Sequence, residues 1–305
     1  MMDMEMKSQV TFGVMITTRN RCAELCVTLA RLRTLQPSPS EILVCADGCT
    51  DDTVVQVAER FPEVRVIINE VGQGSVPSRD RMLRMLATDW VLSLDDDSYP
   101  LDGDFFAQAV KLIRSKPTVS VFTFPEQRDG RIYPSPTKTP LTPGHEVSAY
   151  PNCAALMNRG DYLKSAGYPI FFFHAYEEPD YALQVYAMDK TVWFEPSLTV
   201  RHHLSPKNRS NLRMHQLHSR NELWSVWMRC PALCLPAVTL FRVARQFQHA
   251  CTQGFSWAVR EPLWWIDAVR GLGKCLENRC PIMWQTYFAW MKRARSVPSP
   301  SSANH

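Results

Sequence analysis

The stretch VLSLDDDSYP, residues 91–100, runs an apolar strand pattern straight into Asp95, Asp96 and Asp97. Adjacent carboxylates repel one another, so such a cluster either stays solvated as an acidic turn or has a cation set among it. Mg2+ and Mn2+ prefer oxygen ligands and usually take one or two protein carboxylates together with phosphates and water. A second acidic group, Glu177, Glu178 and Asp180, surrounds Pro179. A carboxylate there could remove a proton from a hydroxyl, or the three could simply decorate a helix start and complement its dipole. Asp47 precedes Gly48, where it is either a turn former or a binding group. His202 and His203 are candidate ligands, although a lone histidine is more often packed or at the surface.

These residues need elements to bring them together. Strand-like runs at 10–17, 41–46, 64–69 and 90–94 alternate with helical patterns at 23–35, about 52–60 and about 76–86. That alternation predicts parallel βαβ units in a doubly wound sheet. Ligands of such sheets sit beyond the carboxyl ends of the strands. Asp47 and Asp95–Asp97 both fall at strand carboxyl ends and can therefore face one cleft. Residues 125–150, rich in Pro, Thr and Gly, are expected to form a long loop. Structure should resume at 153–158, followed by a helix at 180–188 and a strand at 191–196. From about residue 208 the pattern is helical, with breaks at Pro231, Pro236, Gly254, Pro262 and Pro281. Two or three helices are expected over 232–296. His215 and His218 fit a surface pair on one helical face.

Charge is unevenly spread. The chain has 305 residues and net charge +4, yet residues 201–305 hold 15 Lys+Arg against 4 Asp+Glu and seven of the nine tryptophans. A basic, Trp-rich end suits an anionic membrane interface, a nucleic acid, or a helical cap packing its tryptophans on the rest of the chain. No apolar run reaches the roughly 18–20 residues needed to span a bilayer. The ten cysteines form no CxxC pair and no disulfide framework. The first ten residues contain no apolar signal-peptide core. Reduced thiols in a cytoplasmic setting are the expectation.

Six motifs follow in chain order: MITTRNR (15–21), VCADGCTDDT (44–53), NEVGQGSVPSRDR (69–81), LDDDS (94–98), EEPDYALQ (177–184) and VRHH (200–203). Their order and spacing resemble the family-2 glycosyltransferases of GT-A fold over about residues 9–230. The resemblance implies an α/β, GT-A type, doubly wound, mostly parallel sheet with a helical C-terminal appendage. It divides the chain into a glycosyltransferase domain at 1–230, a helical region at 231–296 and a disordered tail at 297–305. Within the domain, a nucleotide-sugar half covers about 9–124 and an acceptor half about 125–230.

The implied activity is inverting transfer of a sugar from a nucleoside-diphosphate sugar to a hydroxyl, on a glycan or a lipid-linked saccharide, assisted by Mg2+ or Mn2+. By resemblance, Asp97 contacts the metal. Asp95 serves the ribose or donor sugar and is a second metal candidate, and Asp96 is the middle residue of the donor motif. Asp47 would meet the nucleobase, with Thr17, Thr18 and Arg19 as the opposite wall. Arg79 stands where the family's ARN arginine stands, although the triplet here is Ser78-Arg79-Asp80. Glu178 takes the place of the base, usually Asp in the family, with Glu177 and Asp180 as alternatives. His202 matches a further metal ligand of some members. HSRNELWSVWMRCP (218–231) is similar to a segment frequent in bacterial members.

The implied partners are the nucleotide-sugar donor, the glycan or lipid-linked acceptor and an anionic membrane surface on the inner face; nucleic acid is not expected. Two competing readings share the architecture. A sugar-nucleotide nucleotidyltransferase would need a Gly-rich phosphate loop after the first strand, which MITTRNR does not supply. A non-catalytic binding protein of the same fold is the other.

Overall fold

The computed structural model describes residues 10–133, 143–203 and 211–293, and the expected tail at 297–305 lies outside them. Twelve strands form two sheets among the described residues. They are β1 (Phe12–Thr18), β2 (Glu41–Asp47), β3 (Arg65–Asn69), β4 (Trp90–Asp95), β5 (Ser98–Pro100), β6 (Val119–Thr123), β7 (Glu126–Arg128), β8 (Arg131–Tyr133), β9 (His145–Glu146), β10 (Ala155–Asn158), β11 (Thr191–Phe194) and β12 (Val200–His202). The main sheet has eight strands in the order β3-β2-β1-β4-β10-β6-β11-β9. Its β3, β2, β1 and β4 are mutually parallel, and β10 runs antiparallel to both of its neighbours. A smaller sheet has the order β5-β12-β7-β8.

The helices are α1 (Cys22–Leu32), α2 (Thr53–Arg60), α3 (Ser75–Met85), α4 (Phe105–Ser115), α5 (Arg159–Lys164), α6 (Glu177–Ala187), α7 (Asn211–Arg229), α8 (Leu235–Gln253), α9 (Phe255–Ala258), α10 (Glu261–Arg270), α11 (Leu272–Glu277) and α12 (Trp284–Lys292). Successive side chains of a strand point to opposite faces, so a strand covered on both sides reads as a continuous apolar run. Val14 and Ile16 accordingly join one core with Leu25, Leu29, Val57 and Phe105 of α1, α2 and α4. Met15 joins the other core, with Val76 of α3, Tyr181 of α6 and Trp224 of α7.

Two expectations change. The described part of 125–150, which leaves out 134–142, departs from a plain loop, because β7 and β8 form a hairpin with Arg128 opposite Arg131. Its two-residue connection, Asp129-Gly130, has positive φ at both positions, which Asp-Gly adopts readily. β9 then adds an edge to the main sheet. Among the described residues, the region after residue 231 holds five α-helices, α8–α12, instead of two or three. They do not form a separate core: Trp264, Tyr287 and Trp290 share one with Tyr176 and Tyr181. Trp224 Nε1 donates to the Ala268 carbonyl at 2.9 Å, and Trp290 Nε1 to the Ser148 carbonyl at 2.7 Å.

Loop approach at the strand ends depends on glycine. Gly48 (φ +70°) leaves no room for a side chain, since a Cβ there would come 2.6 Å from the Gly72 nitrogen. Gly74 (φ +98°) sits against the Phe173 carbonyl, closer than any Cβ could be accommodated. Gly74→Ala therefore combines positive-φ strain, about 1–3 kcal/mol, with a backbone clash. A lowered denaturant midpoint with unchanged m-value is the expected result.

Candidate active site

Register brings the strand-end residues level. Thr17 of β1 stands opposite Cys45 of β2 and Asp95 of β4, and Asp47 stands opposite Asn69. The smaller sheet supplies the rest. Its β12 pairs antiparallel with β5, placing His202 opposite Ser98, and parallel with β7, placing Val200 opposite Glu126. His202 thereby reaches the acidic turn between β4 and β5.

The three aspartates point to different partners. Asp95 Oδ1 accepts from Arg79 Nη2 at 2.5 Å, while its Oδ2 lies 3.8 Å from His202 Nε2. Asp97 Oδ2 accepts from Arg21 Nη2 at 2.5 Å, and its Oδ1 lies 3.2 Å from His202 Nε2. Asp96 turns toward β1, where it accepts from Thr18 Oγ1 at 2.9 Å and pairs with Arg21 at 2.8 Å. It is thus not among the carboxylates gathered around His202. Burial pushes the Asp96 pKa up to about 7 despite Arg21, with Asp95 and Asp97 adding to the rise. For Asp97 burial also works upward, but His202 and Arg21 outweigh it and hold the carboxyl below its ordinary range.

His202 is oriented from behind. Its Nδ1 lies 2.6 Å from Glu126 Oε2, and Glu126 is fully buried and paired with Arg128. A carboxylate can only accept here, so Nδ1 carries the proton and Nε2 is the ring atom left to face Asp95 and Asp97. Burial opposes an imidazolium at this position, yet Cys153, Asp97 and Glu126 together raise the His202 pKa well above the usual histidine value. Among the described residues, His202 Nε2 and Asp97 Oδ1 are both buried without a hydrogen bond. Two unsatisfied buried atoms facing each other beside Asp95 are what a divalent cation would satisfy. The residues present therefore fit the Mg2+ or Mn2+ expected from the sequence.

Asp47 is buried at the next strand end. Its Oδ1 accepts from Asn69 Nδ2 at 2.9 Å and from the Gln73 amide at 2.8 Å, and its Oδ2 from the Gly74 amide at 2.8 Å. It fastens the 72–74 loop, leaving a lone pair on Oδ2 for a further donor. Thr17 is half-buried, Thr18 buried and Arg19 exposed. Arg19 extends toward Gly72, on the same loop.

Arg79 is buried, and it joins the two halves of the site. Besides Asp95 it meets Glu177 Oε1 through Nη1 at 3.3 Å, and Asn152 Nδ2 donates to that same oxygen at 2.9 Å. The three acids opening α6 consequently have distinct surroundings. Glu177 is tied to Arg79. Asp180, fully buried, accepts from Arg229, Ser225 and Gln184 and fixes α6 to α7. Glu178 is half-buried, with its own backbone amide and that of Asn152 as donors to its carboxylate. Burial first, and then the charge of Glu177, push its pKa up to about 8 against the pull of Arg79.

The approach to α6 is strained. Phe173, Ala175 and Tyr176 all have positive φ, each costing on the order of 1 kcal/mol or more. Asn221 on α7 stabilises this segment, its Nδ2 lying 2.8 Å from the carbonyls of both His174 and Ala175. The HSRNELWSVWMRCP segment thus contributes through Asn221, Glu222 and Arg229. Glu222 is buried against Arg242, Arg245 and Gln246. His215 is held by Glu261 at 2.7 Å rather than standing at the surface. Sequence reasoning missed Arg21, Glu126, Asn152 and Asn221; of these only Arg21 and Asn221 lay within quoted motifs.

Residues 13–178 match the model of glycosyl transferase family 2, over more than half of the chain. The chain belongs to that family. A curated relative in Haemophilus influenzae, an uncharacterized glycosyltransferase, is 35% identical over 85 residues, spanning 28% of this chain and 29% of that protein. GalNAc-T7, solved with UDP, GalNAc and Mn2+, is similar with a TM-score of 0.61 at 13% identity, covering 74% of this chain and 49% of its own. The mannosyltransferase PcManGT from Pyrobaculum calidifontis, solved with GDP-Man and Mn2+, has a TM-score of 0.56 at 14% identity and coverages of 87% and 88%. These likenesses establish the GT-A fold. Membership of that family speaks against the nucleotidyltransferase reading.

With Nδ1 committed to Glu126, a cation and a proton compete for His202 Nε2. Mn2+ binding is expected to release protons and to tighten as pH rises. Calorimetry in buffers of differing ionisation enthalpy measures the release, and His202→Ala should abolish it.

Proposed function

We propose that this family-2 glycosyltransferase works with inversion, moving a sugar from a nucleoside-diphosphate donor to a hydroxyl of a glycan or lipid-linked saccharide. One observation carries the reading: Arg79 bridges Asp95 and Glu177, and so ties the helix start that carries Glu178 to the acidic turn facing His202. Asp97 and His202, with Asp95, would hold the divalent ion, in the manner of a DxD motif. When bound, that ion offsets the charge developing on the departing diphosphate. Asp47 would receive a nucleobase N–H on its remaining lone pair, with Thr17, Thr18 and Arg19 lining the other side. Arg79 keeps Asp95 oriented toward the donor.

Glu178 takes the proton of the acceptor hydroxyl as its oxygen attacks the anomeric carbon. The bond from that carbon to the diphosphate oxygen breaks on the opposite face, and its electron pair leaves with the diphosphate. A base raised to about 8 is ionised only as pH climbs through that value. The transfer rate should therefore increase from pH 6 through pH 8 and level off above about pH 9.

The lipid-linked alternative receives support from the outer helices, which we place on an anionic membrane surface at the inner face. The inner face of α8 mixes apolar and polar residues, with Val238 and Ala250 buried alongside Arg242 and Gln246. Leu240, Phe241 and Phe247 face outward, while Arg242 and Gln246 point inward to Glu222. Leu233 is 98% exposed and Phe255 84%. Arg260, Arg270 and Lys274 are exposed beside Leu263, Ile266 and Val269, a composition that suits anionic lipid. No described helix is long and apolar enough to cross a membrane, so the contact would be peripheral.

Glu178→Gln should keep donor binding and lose transfer by roughly 10²–10⁴-fold, the usual weight of a general base. Equal turnover would remove Glu178 from that role. Asp97→Asn should lose metal-dependent donor binding, read by calorimetry. In flotation, the protein should rise with vesicles containing anionic phospholipid at low salt. Phe241→Asp combined with Leu240→Asp should leave it in the bottom fraction.

A further inference from the structure

Cys153 belongs to no motif, yet the fold delivers it to the centre of the acidic cluster. β10 runs antiparallel to β4 with Ala155 opposite Ser93. Two residues back along the chain, Cys153 lies in the 3-10 turn Asn152–Ala154 that leads into β10. Its Sγ, an Asp95 carboxylate oxygen and a His202 ring nitrogen all lie within 4.8 Å of one another. Cys153 is 4% exposed, and it stands where His202 Nε2 and Asp97 Oδ1 already lack hydrogen-bond partners. The cluster therefore presents one carboxylate oxygen, one imidazole and one thiol, with Asp97 Oδ1 3.2 Å from the imidazole Nε2.

We infer that Cys153 is a ligand for thiophilic divalent ions, so that this site binds Co2+, Zn2+ and Cd2+ through sulfur while taking Mg2+ and Mn2+ through Asp95, Asp97 and His202. The inference rests on the proposed reading of these residues as the ion site. Oxygen donors suit Mg2+ and Mn2+, whereas thiolate selects the softer ions, for which affinity already increases from Mn2+ toward Zn2+. On binding, the Cys153 S–H proton is released to solvent and its electron pair forms the sulfur–metal bond, with no change in oxidation state. Zn2+ then acts as a tight competitor of Mn2+, and a chelator reverses the competition.

Cobalt alone, without donor, is the probe. Titration of the full chain with Co2+ should produce a near-ultraviolet sulfur-to-cobalt charge-transfer band that is absent in both Cys153→Ser and Cys153→Ala. Zn2+ affinity should fall by about tenfold or more in Cys153→Ser, at least the loss usual when a ligand's supporting residue is removed. Mn2+ affinity should be nearly unchanged. If Co2+ binds but the band is missing, or persists in both variants, Cys153 is not a ligand and the inference is overturned while the ion site stands. If neither Co2+ nor Mn2+ binds the folded protein, the ion-site reading fails and the inference with it.

Discussion

Three adjacent aspartates at the end of a buried strand are tolerable only because cationic side chains are set among them. Arg79 holds Asp95, Arg21 holds Asp96, and Asp97 is shared between Arg21 and His202. Truncating one partner would leave a buried charge uncompensated, typically at a cost of several kcal/mol. The pairs therefore position as much as they stabilise. Each fixes one carboxylate direction, and their sum leaves Asp95 Oδ2 and Asp97 Oδ1 turned toward His202 Nε2.

The same electrostatics extend across the molecule. Arg79 connects the acidic turn to Glu177, Asn152 fixes Glu177 from the other side, and Glu178 is thereby separated from its neighbours in role. Its raised pKa follows from that division: burial and the charge of Glu177 disfavour ionisation by more than Arg79 favours it. The strained turn at 173–176 would relax without Asn221, and α7 would shift without the Asp180–Arg229 pair. The C-terminal helices complete this support. Their tryptophans are mainly structural, while the apolar residues of α8 and α10 that do not pack inward form the exposed basic-apolar surface.

Local sequence signals made the scaffold legible. Alternating strands and helices in the first half have a short period, and their carboxyl ends gather Asp47, Asp95 and Asp97 without further information. The rest depends on pairings between distant segments. Glu126 and His202 meet only because β12 lies between β5 and β7, and Cys153 meets Asp95 only through the antiparallel register of β10. No local pattern encodes either. The direction of Asp96, toward Thr18 rather than the cluster, follows from side-chain alternation at the turn and from Arg21, which the motif contained without revealing its task. Asp129-Gly130 was a readable hairpin signal within a Pro- and Thr-rich segment. Of the acids opening α6, the division of roles among Glu177, Glu178 and Asp180 is set by Arg79 and Arg229, both far away in sequence.

The central claim is that the strand-end carboxylates and His202 form a divalent-ion site that binds a nucleoside diphosphate. Calorimetric binding of UDP, GDP and dTDP to the unmodified protein, each with and without Mn2+, tests it most directly. The account predicts that one of the three binds and that its binding requires the ion. Binding that is indifferent to Mn2+, or failure of all three on folded protein, would contradict it.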